Sequence, residues 1–219
     1  MPEYENGKQT RQHILDAARS LFWSKGYNQT RFEDFRSQYG INTGLVHYHF
    51  KKKEFLAKEI YSIIIDETND LISSVVDKEQ PLLHFVMLFR IMWKYFGDSP
   101  AYARFVKEAI HIRIHSEAVF IPCLASCYSL NDHYRLGLTE LDCKIRDLAL
   151  IGSQVELINA FLSGTLPLST EECSYQDVTN ALHLLNIPDK EILAAVNQSG
   201  TLLAERCFVM KDNFQQIII

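Results

Sequence analysis

Two pairs of side chains in the middle of the chain have the spacing of metal ligands. His111 and His115 are four residues apart, and Cys123 and Cys127 repeat that interval. Imidazole and thiolate groups one helical turn apart can chelate zinc. No tightly spaced cysteine or acidic motif supports either pair, and the two histidines also suit an ordinary helix surface. We therefore expect no metal site.

Catalytic motifs are equally scarce. Glu108 and His111 have the Glu-x-x-His spacing of di-iron helical bundles, but that chemistry needs a second copy of the motif, and the sequence has none. The sequence contains no G-x-S-x-G nucleophile motif, no phosphate-binding P-loop and no G-x-G-x-x-G dinucleotide motif. We expect neither an enzyme nor a bound cofactor.

Hydrogen bonding to nucleic acid is the chemistry that the residues around position 45 suit best. On a helix, Thr43, Leu45 and Tyr48 would face away from Val46 and Phe50, which we expect to be buried. A helix in the major groove reads base edges with such outward side chains. Leu45 would contact a thymine methyl, while Thr43 and Tyr48 would hydrogen-bond. The pattern therefore predicts a DNA-reading helix.

Basic residues flank this helix. A run such as Lys51-Lys52-Lys53 is, taken alone, most often a solvated surface. Beside a base-reading helix it instead suits contacts with DNA phosphates, with Lys53 assisted by the positive N-terminus of the next helix. The predicted DNA-binding residues are Thr30, Arg31, Thr43, Gly44, Leu45, His47, Tyr48, Lys51 and Lys53.

Local signals place two short helices around these residues. Thr30 and Glu33 have the Thr-x-x-Glu form of a capping box, which predicts a helix start. Gly40 suits the left-handed conformation that ends a helix. Asn42 can cap a second helix from Thr43 to about His49. Two short helices joined this tightly are typical of a helix-turn-helix.

The same stretch resembles the DNA-binding head of the TetR family, the tetracycline-repressor-like regulators. The resemblance covers about the first quarter of the chain. It implies a three-helix head followed by a larger helical regulatory body, which in this family usually holds a mostly apolar cavity with a few polar groups. The positions that carry the resemblance are Gly26-Tyr27, Thr30, Asp34-Phe35, Gly40-Ile41, Gly44, Phe50 and Lys53-Glu54.

Four positions depart from the family pattern. Arg36 and Tyr39 stand where that family usually has alanine, at points where the two helices pack closely. A large side chain there must point outward, extend along the surface or widen the helix crossing. His47 replaces the usual tyrosine near the DNA backbone, and Lys52 replaces a Ser or Asn cap. We expect a mildly reshaped head that still binds DNA.

Composition predicts the fold class. Hydrophobic residues make up 47% of the 219 residues, and only nine Gly and six Pro occur. With few alternating β-branched segments, this predicts an all-α protein. We expect a helix-turn-helix DNA-binding domain over residues 1–51 and a helical-bundle domain for ligand binding and dimerisation over residues 52–219.

Charge is distributed unevenly along the chain. Residues 1–60 hold ten Lys or Arg against seven Asp or Glu, whereas residues 61–219 hold twelve against twenty. A mildly basic head on an acidic body can orient a protein on DNA. Five scattered cysteines, a polar N-terminus and no apolar run of membrane length predict a cytoplasmic protein with free thiols.

Hydrophobic periodicity outlines the remaining elements. We expect a loose polar lead over residues 1–8 and a first helix over about 9–25. A loop is expected over residues 164–173. The other predicted helices cover about 53–76, 81–96, 100–114, 119–134, 140–163, 175–185 and 189–210.

The helix predicted over residues 81–96 is apolar on most faces, which indicates burial in the middle of the body. It contains no Ala or Gly to fill the spaces between its rings, so we expect a cavity beside it. Plain core packing is the alternative for each aromatic residue. The predicted ligand-binding residues are Phe85, Phe89, Trp93, Phe105, His111, His115, Tyr128, Glu156 and Asn159.

The whole pattern favours a homodimeric transcriptional repressor that a small apolar ligand releases from a palindromic operator. Dimer contacts would involve the helix over 140–163, whose small residues Ala149, Gly152 and Ser153 would let another helix approach closely, and one of the last two helices. One alternative is a TetR-like interaction or architectural protein without ligand sensing, which a fully packed body would favour. Another is a bundle enzyme or metal-binding protein, which metal in the purified protein would favour.

Overall fold

The structure is a computed structural model that describes the backbone of residues 2–219 and the side chains from residue 7 onward. The predicted all-α architecture is confirmed. No helix within the described residues is long and apolar enough to cross a membrane. The helices are α1 Pro2–Gln29, α2 Phe32–Tyr39, α3 Thr43–His49, α4 Lys53–Ser73, α5 Pro81–Asp98, α6 Pro100–His111, α7 Ile114–Tyr134, α8 Glu140–Leu162, α9 Thr170–Leu184 and α10 Asp189–Glu205. Two short strands, β1 Phe208–Met210 and β2 Gln216–Ile218, pair antiparallel.

Helix α1 is longer than predicted. It begins at Pro2 rather than near Gln9, and a proline in the first turn loses no helical hydrogen bond. The predicted polar lead is therefore wrong from Pro2 onward, while Met1 lies outside the described residues. Near its other end the helix is interrupted by Gly26, with φ 86° and ψ 165°. Glycine reaches this conformation without a Cβ clash.

Helices α1 to α3 form the N-terminal head and share one core. The predicted stop and start signals between α2 and α3 are confirmed. Gly40 ends α2 with a left-handed φ of 67°, and the Asn42 side chain accepts the N–H of Gly44 at 2.8 Å. Fully buried residues of this core include Ile14, Leu21, Phe22, Phe35 and Val46.

The start of α2 differs from the prediction. Thr30 is buried, and its hydroxyl donates to the carbonyl of Gly26 at 2.7 Å. The helix begins after Arg31, whose backbone N–H donates to the Asp34 carboxylate at 2.6 Å. The predicted capping box between Thr30 and Glu33 is wrong, because the Thr30 hydroxyl hydrogen-bonds to a carbonyl at the end of α1 and not to an N–H at the start of α2.

Helix α5 is the centre of the body. It packs against α4, α6, α7, α9 and α10. Eleven of its eighteen residues are buried, which confirms the predicted burial. Helix α4 runs from the head into the body and packs against α1, α5 and α7, so it is the covalent link between the two parts.

Helix α6 makes a second connection between body and head. Arg104 donates to the carbonyl of Trp23 at 2.5 Å, and the Glu108 carboxylate accepts the backbone N–H of Tyr27 at 2.6 Å. A Cβ atom placed on Gly26 would lie 2.9 Å from Nε of Arg104. One helix of the body thus satisfies both carbonyl and N–H groups where α1 ends.

Two boundaries within the body differ from the prediction. Helix α6 ends at His111 and α7 begins at Ile114, because Arg113 between them adopts a left-handed φ of 62°. Helix α9 begins inside the predicted loop, because the hydroxyl of Ser169 and the carboxylate of Glu172 form a capping box there. The Ser-x-x-Glu signal for this start was present in the sequence.

Helix α10 is shorter than predicted, and the β1–β2 hairpin that follows it was not expected. Asn213 and Phe214 in its turn have positive φ. The Phe214 ring is fully buried, 5.2 Å from Trp23 of α1 and 5.1 Å from Phe105 of α6. Arg19 of α1 donates to the carbonyls of Asn213 and Phe214, both at 3.0 Å. The hairpin therefore packs where head and body meet.

Candidate nucleic-acid interface and body cavity

Helix α3 buries one face and presents the other to solvent. Val46 is 0% exposed and Phe50, directly after the helix, is 2% exposed. Leu45 is 44% exposed and Tyr48 is 79% exposed. Thr43 is half-buried at the first turn. The core therefore fixes the buried face of α3, and the opposite face, which is predicted to read bases, is exposed to solvent.

Several flanking residues that we predicted to contact DNA are also accessible. Arg31, Gly44, His47 and Lys51 are exposed. The His47 ring meets the ring of Phe32 edge-on, with 4.3 Å between centroids, so α2 fixes its position. These residues are open to solvent together with the outward face of α3, as a phosphate-contacting set requires.

Thr30 and Lys53 lie elsewhere than the DNA-binding prediction implied. Thr30 is buried, and Nζ of Lys53 donates to the carbonyls of Tyr27 at 2.7 Å and Thr30 at 2.9 Å. The ammonium also lies 4.1 Å from the centroid of the Tyr27 ring. Burial lowers the pKa of Lys53, against the opposing effect of the nearby Glu54 and Glu108 carboxylates. Both side chains close the interior of the head, so we no longer expect either to contact phosphate.

The two large residues at the usual alanine positions are accommodated at the surface. Arg36 is exposed, and Tyr39 is half-buried against the core of the head. Of the options predicted for them, an outward position applies to Arg36. Together with Glu33 and Ser37 of α2 and Thr43 of α3, Arg36 lines an open groove between the two helices.

A narrow cavity lies among helices α4, α5, α6, α7 and α8. Its volume is about 60 Å³. Ligand pockets typically measure roughly 300–1,000 Å³, so this cavity is small as it stands. The walls are mostly apolar, and their polar groups come from Tyr61, Tyr102, His115 and Gln154.

Three of the nine predicted ligand-binding residues, Phe89, Trp93 and His115, line this cavity. The polar anchor from α8 is Gln154 and not Glu156 or Asn159. Because successive helical residues are turned by about 100°, side chains two positions apart point to opposite sides. The predicted residues that do not line the cavity are Phe85, Phe105, His111, Tyr128, Glu156 and Asn159.

The six residues outside the cavity have other surroundings. Phe85 packs against Phe89, with 4.5 Å between ring centroids, and Phe105 stacks on Phe22 of the head at 5.8 Å. His111 is exposed at the end of α6. Glu156 is exposed, whereas Tyr128 and Asn159 are half-buried.

Polar side chains, all buried except the half-buried Gln154, form a continuous hydrogen-bonded chain along the cavity. The Tyr61 hydroxyl and Nδ1 of His115 are 2.6 Å apart, and Nε2 of His115 is 3.0 Å from Oε1 of Gln154. Nε2 of Gln154 donates to Oδ2 of Asp177 at 2.9 Å, and Nε1 of Trp93 donates to the same oxygen at 2.8 Å. Five helices, α4, α5, α7, α8 and α9, are joined in this way.

The titratable members of the chain are shifted by burial. Burial lowers the pKa of His115 to about 4, against the hydrogen bond to Gln154, so the imidazole is neutral near pH 7. Burial raises the pKa of Asp177 to about 6, although the hydrogen bonds from Gln154 and Trp93 oppose the shift. Above that pH Asp177 is a buried carboxylate, and neither of its hydrogen-bond partners, Gln154 and Trp93, is a cation.

The residue pairs with metal-like spacing are not arranged for metal. His111 ends α6, whereas His115 lies in the first turn of α7, so the two do not share a helix. Burial raises the pKa of the Cys123 and Cys127 thiols, that of Cys127 to about 12, which disfavours the thiolates that bind metal. Within the described residues no three His, Cys, Asp or Glu side chains form a metal-binding group.

Helix α8 carries an apolar face that the body does not cover. Leu141, Ile145 and Leu148 are 65%, 57% and 60% exposed, and Gly152 on the same side is exposed too. Leu193 of α10 is 55% exposed. Large apolar side chains at steps of four and three, open to water, are typical of a protein contact surface.

The head matches a known family. Residues 14–60 match the family described as bacterial regulatory proteins, tetR family. The transcriptional regulator AcrR of Shigella flexneri is 36% identical over 59 residues, which are 27% of each chain. The regulator TtgR of Pseudomonas putida is 23% identical over 109 residues, 49% of this chain and 51% of the relative. The head of this chain is therefore similar to the DNA-binding region of TetR-family regulators. These alignments span about a quarter to a half of the relatives' length.

The fold of the whole chain is also similar to that of two solved structures. RolR, solved in complex with resorcinol, superposes with a TM-score of 0.64 at 13% identity, over 89% of this chain and 96% of that one. The TetR regulator TylP of Streptomyces fradiae gives a TM-score of 0.53 at 20% identity, over 90% and 97% of the two chains. At these identities the likeness is one of fold.

Proposed function

We propose that this chain is a cytoplasmic, homodimeric transcriptional repressor of the TetR family that binds a palindromic operator and leaves it when a small apolar molecule enters the body. The observation that supports this best is the outward face of α3. Leu45 and Tyr48 remain in water on a capped helix whose other face, through Val46, is fixed in the core. A helix built in this way suits the major groove, where apolar and hydroxyl groups meet base edges.

The uncovered faces of α8 and α10 support a dimer. An isologous contact through Leu141, Ile145 and Leu148, with Leu193 beside them, would remove these side chains from water. We expect the contact to exceed the roughly 1,000 Å² of a biological interface. It would place two heads so that their α3 helices reach half-sites one helical turn, about 34–36 Å, or a multiple of it, apart.

The cavity walls belong to the same helices that hold the head. Tyr61 and Ile65 of the wall lie on α4, and Tyr102 and Val106 lie on α6. Helix α6 also carries Glu108, which binds the end of α1. A cavity of about 60 Å³ must widen to admit a ligand, and we expect the widening to move α4 or α6 among its walls. Ligand and DNA would then favour different head positions, so each weakens the binding of the other.

The test begins with selection of a duplex from a random library, followed by titrations at several salt concentrations. Replacing Lys51 with Ala should weaken all duplexes similarly and lower the salt slope by about 1, because a phosphate contact is lost. Tyr48→Ala should instead change the preferred sequence. Lys190→Ala, at an exposed position of α10, is the matched control and should change neither. The proposal fails if the wild type selects no duplex above background.

The small cavity volume favours a second candidate, a TetR-like interaction or architectural protein that binds no ligand. The two candidates differ in one measurable respect. A sensor should show both a higher melting temperature and weaker operator binding when apolar ligands are added. If the wild type binds its selected duplex and no apolar compound changes either quantity, the second candidate replaces ligand sensing.

A further inference from the structure

Three polar side chains of the cavity wall, Tyr61, His115 and Gln154, are already paired with one another. If the neutral His115 carries its proton on Nε2, the Tyr61 hydroxyl donates to Nδ1 and Nε2–H donates to Gln154. Gln154 and Trp93 then both donate to the Asp177 carboxylate. Every link has one donor and one acceptor in this arrangement. A ligand group that hydrogen-bonds here must therefore enter the chain without leaving a buried group unpaired.

The link between Tyr61 and His115 is the one where a ligand group can enter. Both residues line the cavity, whereas Asp177 does not. A group between them must accept from the Tyr61 hydroxyl and donate to Nδ1 of His115. A hydroxyl does both, a carboxylate or ketone only accepts, and an ammonium only donates. We propose that the cavity selects a neutral aromatic molecule bearing a hydroxyl group, which inserts between Tyr61 and His115. This inference rests on the ligand-sensing function proposed above.

The electrostatics of the site exclude anions. The Asp177 carboxylate is buried, and its partners Gln154 and Trp93 are neutral. No Lys or Arg is among the described residues that line the cavity. Burial raises the pKa of Asp177 to about 6, so the group is ionised at pH 8. In a poorly solvated interior, two negative charges repel far more strongly than in water.

The remaining walls suit a single ring. Phe89, Trp93 and Phe96 of α5 present aromatic surface to the cavity. Aromatic rings pack favourably against such surfaces in stacked or edge-on arrangements. The volume of about 60 Å³ is below the roughly 150 Å³ of an engineered cavity that takes up benzene, so even one ring must push the walls apart.

The experiment measures dissociation constants of phenol, toluene and benzoate at pH 8 by calorimetry, using the full-length protein. Phenol is neutral at this pH and benzoate is charged. Tyr61→Phe removes the hydroxyl at the proposed insertion point. Tyr95→Phe is the matched control, because Tyr95 also has a buried hydroxyl, without a hydrogen-bond partner among the described residues, and it does not line the cavity.

We compare the ratio of phenol to toluene affinity between variants, because the two probes differ in hydrophobicity. Tyr61→Phe should lower this ratio by about fivefold to tenfold, the effect of one hydrogen bond. Tyr95→Phe should leave the ratio unchanged. Benzoate should bind the wild type at least about tenfold more weakly than phenol.

Each other outcome overturns a separate statement. If phenol and toluene bind and Tyr61→Phe leaves their ratio unchanged, the hydroxyl selection is wrong while ligand sensing stands. Benzoate binding as tight as phenol binding would overturn the exclusion of anions. If no probe binds and the protein still binds its selected duplex, both this inference and ligand sensing fail, and the DNA-binding part of the proposed function survives.

Discussion

Asp147 of α8 offers a direct test of the electrostatics of the body. Its side chain is 2% exposed, and neither carboxylate oxygen has a hydrogen-bond partner among the described residues. The Cys127 and Cys143 thiols lie nearby, and the neighbouring Arg146 donates to the carbonyl of Leu184 instead. Burial therefore raises the pKa of Asp147 to about 7. We expect Asp147→Asn to stabilise the protein at alkaline pH.

The size of the effect follows from linkage. The folded-state pKa of about 7 lies above the unfolded value of about 3.9, so the folded chain holds the proton more tightly. The stabilising contribution of this carboxyl is complete below the unfolded pKa and is lost as pH rises through about 7. Between pH 5 and pH 8.5 the wild type should lose about 2 to 3 kcal/mol that a non-ionising asparagine keeps. Shifts of other groups, such as Asp177, occur in both proteins and cancel in the difference.

Urea unfolding at pH 5 and pH 8.5 measures this difference, at one fixed protein concentration because the proposed dimerisation would contribute to stability. Asp132→Asn, which removes an exposed carboxyl from α7, is the control and should track the wild type at both pH values. If Asp147→Asn differs from the wild type by the same amount at both pH values, the carboxyl has a partner in solution and the argument is wrong.

Three further predictions concern the head, the hairpin and the dimer. Lys53→Ala should lower the free energy of unfolding by about 1–3 kcal/mol, because two buried carbonyls lose their donor, whereas Lys51→Ala should not; equal unfolding curves would contradict this. Phe214→Ala should lower the free energy of unfolding by about 3–5 kcal/mol and speed amide exchange in α1. Unchanged exchange in α1 would show that the hairpin does not stabilise the head. Leu148→Glu should yield monomers in light scattering at micromolar concentration, while Leu45→Glu, also at an exposed leucine but on α3, should remain dimeric; a dimeric Leu148→Glu would place the interface elsewhere.

The helix-turn-helix could be predicted because its signals are local. Gly40 and Asn42 act on backbone groups one or two residues away, so their effect can be read without knowing the rest of the fold. Thr30 was misread because its partner is the carbonyl of Gly26, which is available only where α1 breaks. That break depends in turn on Arg104 and Glu108 of α6, about eighty residues away.

The cavity residues could be predicted only in part. The aromatic surface of α5 indicated a cavity, but which residues of α8 face it depends on how that helix is rotated. Helix α8 has apolar residues on two sides, with Cys143 and Ile158 buried and Ile145 exposed. The sequence cannot distinguish the side that meets the body from the side left for a partner. For the same reason Gln154 was missed and Glu156 was chosen.

The C-terminal hairpin could not be predicted because nearly all that holds it is distant in sequence. Asn213 suits its left-handed conformation, but Phe214 occupies the same region, which an aromatic residue rarely adopts, so the sequence does not indicate this turn. Its stabilising partners, such as Arg19 and Trp23, come from the other end of the chain. A tertiary contact, and not a local preference, determines this element.

The hairpin also bears on how the cavity could influence the head. Thr68 of α4 donates to Oε1 of Gln216 at 2.6 Å, and Nε2 of Gln216 donates to the carbonyl of Ile64 at 2.8 Å, next to the cavity residue Ile65. The same hairpin contacts α1 and α6 through Phe214. If α4 moves outward, the β1–β2 hairpin must therefore either move with it or lose contacts, and this hairpin also touches the head. A ligand shifts the equilibrium between two conformations only by its preference for one of them. Ligands that displace the cavity wall further should therefore release DNA more effectively, even when their affinities are similar.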